Sequence, residues 1–323
     1  QGVSSAASDV YKRQLQYSAS NTTDLAARIV NSTSTIAVDT NSQNVTYSGN
    51  LAASNTGGLT KWGAGILTLS GSNSNTGVNY LNSGTVNLGS ANALAGGGSL
   101  TFLGGTIQFG VNNSTYSNQI ANSTSVMYFD TAANNGTWSG TLSSLNTGGL
   151  RKMGAGELTL SADNNYTGTT TVVVGTLTLT GANSLTSAIT VGSSAGNAVL
   201  NIQAGTYSLG ANTFTVATGG ASRVATVNQS AGNVSFVNGS QFLIGNGTTT
   251  GIYNLTGGSI SSTFGGTAGA RGILLGVNNT STGTFNMSGG TLTLSTGAGL
   301  QVGRSDSTAS NTTAAFTQTG GYA

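Results

Sequence analysis

The sequence predicts an all-β chain, a right-handed single-stranded parallel β-helix (β-solenoid), on three observations. First, the 323-residue chain repeats itself 91 residues on (148 − 57 = 91), with 31 identities in 60 places between 29–88 and 120–179. Self-similarity of that kind marks a stacked array whose units share one core. Second, its apolar residues alternate with hydroxyl or amide residues in short runs bounded by Gly and Asn, the pattern of half-buried strands. Third, the chain has no proline, as expected where nearly every strand N–H feeds a ladder bond.

The strands follow in order. In Leu67-Thr68-Leu69-Ser70 and Leu158-Thr159-Leu160-Ser161 the leucines share one face and the hydroxyls the other. Val86 with Leu88, Leu177 with Leu179, and Leu292 with Leu294 repeat the pattern. Gly-Ala-Gly, Asn-Ser-Asn and Gly-Gly groups between them supply turns. Residues 24–30 come closest to a helix and are too short to form a lasting one. Asn73, Asn75, Asn164 and Asn165 are expected at turns because Asn tolerates left-handed backbone. Amide stacking from coil to coil is the second reading of the same residues.

Two classes of unit follow one another. Residues 15–185 read as β-helix made of two long units. Residues 186–323 read as a continuing solenoid of shorter units, anchored at Val227, Tyr253, Phe285 and Phe316. The steps between those anchors are 26, 32 and 31 residues (253 − 227, 285 − 253, 316 − 285). Residues 186–222 form a transition with no assigned class. A propeller would keep one blade period, and two sandwiches would need a linker; the chain shows neither. Residues 1–14 carry Asp9, Lys12 and Arg13, a local charge density unmatched downstream, and read as a non-native leader. The chain stops inside a motif, at Thr319-Gly320-Gly321-Tyr322-Ala323, and is expected to be a piece of a longer protein. No segment reads as a signal peptide, which in a fragment says nothing about destination.

Composition removes most chemistry. Charged residues are 5% of the chain, the net charge is +2, and there is no cysteine or histidine. Disulfides, thiolate nucleophiles and the usual triads are therefore excluded, and scattered basic residues do not make a phosphate-binding surface. No apolar run approaches the roughly 18 residues of a membrane helix. The acids outside the leader are Asp24, Asp39, Asp130, Glu157, Asp163 and Asp306. Asp39 and Asp130 hold equivalent places in the two long units and read as turn caps. Glu157 reads as an outward strand residue. Asp163-Asn164-Asn165 lacks the glycine pattern and bidentate Glu of a calcium loop. The Gly-Ala-Gly groups lack the Gly-Lys-Ser/Thr of a phosphate loop. Lys61 and Lys152 share one repeat position. They read as surface charges that keep the chain soluble and discourage edge pairing, or else as a ligand-binding ladder. The Thr and Ser rows vary too much from coil to coil for an ice-ordering face. No catalytic residue, cofactor or metal is expected.

The motif itself has a likeness. In the first copy it is carried by Gly57, Gly58, Leu59, Lys61, Gly63, Gly65, Leu67, Leu69, Asn73, Thr76 and Gly77. In the second it is carried by Gly148, Gly149, Leu150, Lys152, Gly154, Gly156, Leu158, Leu160, Asn164, Thr167 and Gly168. It resembles the autotransporter-associated β-strand repeat, or passenger-associated transport repeat, of Gram-negative surface proteins. That resemblance implies a parallel β-helical passenger, exported through an outer-membrane β-barrel of the same longer chain and displayed at the cell surface or released. It also implies a repeat that supports secretion and folding and brings no catalytic residues. The expected function is a structural stalk. A glycan- or surface-binding adhesin is the alternative, and a β-helix carbohydrate-active enzyme stands behind both. Neither nucleic acid nor a small-molecule substrate is an expected partner.

Overall fold

The computed structural model describes residues 14–193, 196–219, 223–237, 240–263, 272–277, 280–295, 299–304 and 312–323. Most of the leader 1–14, and Asp306, therefore lie outside the described residues. Every pairing between strands is parallel. The strands stack into three long faces that the chain visits in turn, once per coil. The first face begins as five strands from Gln14–Gln16 to Leu100–Phe102. It is carried onward by single bridges through Leu100, Ile120 and Leu142, and resumes as five strands from Ser184–Leu185 to Thr291–Leu294. The second face is an unbroken run of twelve strands, from Val45–Tyr47 to Leu300–Arg304. The third holds nine strands, from Ser114–Tyr116 to Thr313–Gln318. This is the expected β-solenoid. Residues 24–30 contribute only a three-residue 3-10 turn, Ala26–Arg28.

Register explains both repeat classes. Val227 pairs with Tyr253, Tyr253 with Phe285 and Phe285 with Phe316, so the short units are single coils. The long unit is different. Following the second face upward from Leu67 leads through Val86, Ile107 and Phe129 to Lys152, four coils on. Leu158, the repeat counterpart of Leu67, lies six residues further (158 − 152 = 6) and belongs to the third face. Leu59–Trp62 likewise sits on the first face and its counterpart Leu150–Met153 on the second. The 91-residue repeat is thus four coils plus one face. The coil also lengthens along the stack, from 19 residues between Leu67 and Val86 to 31 between Ile244 and Leu275.

The core is the column of inward strand residues. Leu67, Ile107, Phe129, Leu158, Val191 and Ile244 are wholly buried. Aromatic rings fill its centre: Trp138 lies 5.3 Å from Phe129, and Phe214 stacks on Phe242 at 4.7 Å. Buried polar tips are answered, since Trp138 Nε1 donates to Asn118 O at 2.9 Å and Tyr253 Oη donates to Gln229 Oε1. The outward row of the third face is polar. There Asn228 donates to Asn201 (2.9 Å), Asn254 to Asn228 (2.8 Å) and Asn286 to Asn254 (2.9 Å), an amide ladder over four coils.

Replacing Phe129 with alanine is expected to cost about 3–5 kcal/mol by urea unfolding, because coils locked by ladder bonds above and below cannot collapse into the space. Val30→Ala, at a residue 61% exposed, should stay within about 0.5 kcal/mol of the wild type.

Candidate functional site: the lysine-capped corner

The repeat motif forms the corner between two faces, and its lysine points inward. The strand Leu59–Trp62 alternates so that Leu59 and Lys61 share the core side while Trp62 turns outward. In the second copy Leu150 and Lys152 do the same. Lys61 is 1% exposed and Lys152 is 0% exposed. The expectation of solubilising surface charges is therefore wrong, as is a ligand-binding ladder of exposed ammonium groups. Strand parity decides the matter.

Each ammonium is occupied by backbone. Lys61 Nζ donates to Trp62 O at 2.8 Å, Gly63 O at 2.7 Å and Ser83 O at 3.2 Å. Lys152 Nζ donates to Met153 O at 2.9 Å, Gly154 O at 2.8 Å and Val174 O at 3.2 Å. Two of the carbonyls belong to the lysine's own turn, and the third to the coil stacked on it. An ammonium has three donors and no acceptor, so the corner uses all of it. Gly84 closes the site from that next coil: it holds φ +67°, and a Cβ there would lie 2.4 Å from Gly63 O and 2.7 Å from Lys61 Nζ. Gly175 stands in the same relation to Gly154 O. Burial lowers the ammonium pKa of both lysines to about 8, and the charges of Asp39 on Lys61, and of Asp130 and Glu157 on Lys152, oppose the shift.

The other motif residues are bridges between coils. Asp39 and Asp130 cap turns as expected, accepting from Asn41 N at 2.8 Å and Ala132 N at 2.7 Å. Their second oxygens accept from Gln16 and Gln108, each at 2.9 Å, on the preceding coil. Asn73 accepts from Leu51 N at 2.9 Å and donates to Ala93 O at 3.0 Å. Asn164 accepts from Leu142 N and donates to Asn183 Oδ1, both at 2.8 Å. The preferred reading of Asn73, Asn75, Asn164 and Asn165 as left-handed turn formers fails. Asn31, Asn41, Asn113 and Asn122 hold that conformation instead. Gly57, Gly77, Gly148 and Gly168 sit where a Cβ would meet neighbouring backbone at 2.0–2.2 Å, so these coils pass too closely for any side chain.

The carboxylates do not converge. Asp24 accepts from Ser48 and Gly49 near the start of the stack. Asp39 stands on the first face and Asp130 on the second. Asp163 accepts from Ala182 N at 2.6 Å. Glu157 faces outward as expected, accepts from Thr178 Oγ1, and is the one carboxylate in a shallow depression with Asn113, Asn135 and Thr159. Asp130 and Glu157 both bear on Lys152, but a fully buried ammonium between them makes no groove. Among the described residues no three carboxylates gather as a metal site.

Three segments match the family described as passenger-associated-transport-repeat: residues 59–88, 150–173 and 174–196. The chain carries passenger-associated transport repeats. Two of the segments contain the lysine corner. The third was not foreseen, although Leu177-Thr178-Leu179 with Asn183 reproduces Leu158-Thr159-Leu160 with Asn164 after 19 residues, one coil on. No curated protein and no solved structure matches the chain.

The corner predicts an unusual pH profile. Between about pH 8 and the ordinary lysine value of 10.5 the unfolded chain binds more protons than the folded one, so stability rises with pH there. Below that window the full cost of the buried charge is present. Above about pH 10 the profile reverses, because burial raises the phenols of Tyr166, Tyr207 and Tyr253 while those of the unfolded chain ionise. Urea unfolding should therefore show a maximum near pH 10. Lys61→Met with Lys152→Met should remove the rise, and should cost about 1–3 kcal/mol per corner at pH 7 from carbonyls left bare.

Proposed function

We propose that the chain is a non-catalytic stalk segment of an exported, surface-displayed protein, in which each coil templates the next during or after passage through an outer-membrane β-barrel of the same longer chain. The observation that carries this reading is the occupancy of the lysine corner. The charged groups that recur with the repeat are spent on backbone carbonyls and turn amides, which leaves them nothing to offer a substrate. The parallel stack supports the mechanical part. Twelve strands on the second face at about 4.8 Å per coil span about 50 Å, a usable spacer. Such a stack folds by addition, because one finished coil presents a complete sheet edge to the next. The carboxylates lie on different faces and coils, which weighs against a carbohydrate-active enzyme.

Display of the chain ahead of an outer-membrane β-barrel in a Gram-negative host tests this reading. Wild type should reach the surface, measured by protease shaving of intact cells. Gly84→Val, which cannot close the corner, should reach it several-fold less at equal synthesis. Equal surface levels would contradict folding-coupled export. A glycan array probed with the chain should stay blank for a stalk, and selective binding would favour the adhesin.

A further inference from the structure

At the corner between the second and third faces, three consecutive coils present hydrogen-bond donors that the protein leaves unused. These corners follow the strands Ile189–Val191, Phe214–Gly219 and Phe242–Gly247, and they present Ser193, Arg223 and Thr248. The hydroxyls of Ser193 and Thr248, with Nε and Nη1 of Arg223, are shut off from water and have no hydrogen-bond partner. The ladder places the three together. Thr218 N donates to Gly192 O at 3.2 Å, which sets Ser193 one coil below Gly219. Thr248 N donates to Gly219 O at 3.2 Å, which sets Thr248 one coil above it. The guanidinium folds back over that glycine. A Cβ at Gly219 would lie 3.7 Å from both Nη1 and Nη2, with only the guanidinium within 4 Å.

Orphaned buried donors call for an explanation, and a charged one most of all. The protein supplies no counter-charge. Between Asp163 and Asp306 the sequence contains neither Asp nor Glu, so no coil stacked near Arg223 brings a carboxylate. Two hydroxyls and a guanidinium suit a ligand that only accepts, and a cation or an apolar group would leave every donor bare.

We propose that this corner binds an oxyanion, a sulfate or phosphate group, free or carried on a saccharide. Ser193 and Thr248 grip it from the coils below and above, and Arg223 supplies the charge. The site neither rests on the stalk reading nor conflicts with it.

The test is thermal unfolding and calorimetry of the full chain titrated with sodium sulfate, against sodium chloride at matched ionic strength. Sulfate should raise the unfolding temperature with saturation, as a ligand of the folded state does. General salting-out by sulfate does not saturate and acts on every variant alike. Arg223→Gln should weaken the saturable response at least about tenfold, Thr248→Val should weaken it less, and Arg28→Gln should retain it. A parallel titration with glucose 6-sulfate separates the sources: tighter binding than inorganic sulfate places the group on a saccharide, and equal binding assigns a free ion. Sulfate acting as chloride does, or Arg223→Gln keeping the full response, overturns the proposal. Should Arg223→Gln fail to fold, an undiminished response in Thr248→Val overturns it equally.

Discussion

The backbone ladder between successive coils is the interaction on which the other features depend. Each strand satisfies its N–H and C=O groups with the coil below and the coil above, so a coil has no secondary structure apart from its neighbours. Whatever interrupts the strands must then be satisfied across the same gap. This is why Asn73 and Asn164 reach both neighbouring coils, and why Asp39 and Asp130 join a turn amide to a glutamine one coil away. It is also why the ammonium groups of Lys61 and Lys152 collect carbonyls from two coils. A turn in a compact domain can leave its carbonyls to water. A corner closed over by the next coil cannot, and a buried cation with three donors is one of few side chains that answers three oxygens at once.

The rotation of the repeat by one face follows from the same logic. A motif that specifies a strand, a turn and a second strand defines a corner, and each face boundary of the coil has one. The first copy occupies the corner from the first to the second face, and the second copy the corner from the second to the third. The motif is therefore indifferent to which face it serves. What it needs is a coil of similar course above and below it. That makes it portable along a solenoid, and it suits a repeat whose work is to keep a growing stack in register.

Much of this was legible in the residues. The alternation of Leu67-Thr68-Leu69 and the equal spacing of the Gly-Gly anchors read directly as strand and coil, because period 2 and register are local properties. Asp39 and Asp130 were recognisable as caps from their equivalent places. Face assignment was not legible, since it depends on the summed lengths of four coils and no local signal carries that sum. The burial of Lys61 was legible and was overlooked. Leu59 and Lys61 have the same strand parity, so the inward direction of one requires that of the other. Arg223 offered no pattern at all, because its neighbours Ser193 and Thr248 are distant in sequence and meet only through coil lengths of unequal size.

The central claim is that one ladder runs unbroken through both repeat classes, across the transition at 186–222. Residue-resolved hydrogen exchange tests it most directly. Protection should extend along the second face from Leu67 through Val86, Ile107, Phe129, Lys152, Val172, Val191 and Val216 to Ile244, with decline confined to the ends of the stack. Two protected blocks separated by rapid exchange at Ile189–Val191 and Phe214–Gly219 would contradict it, and would mean that the long and short units fold as separate bodies.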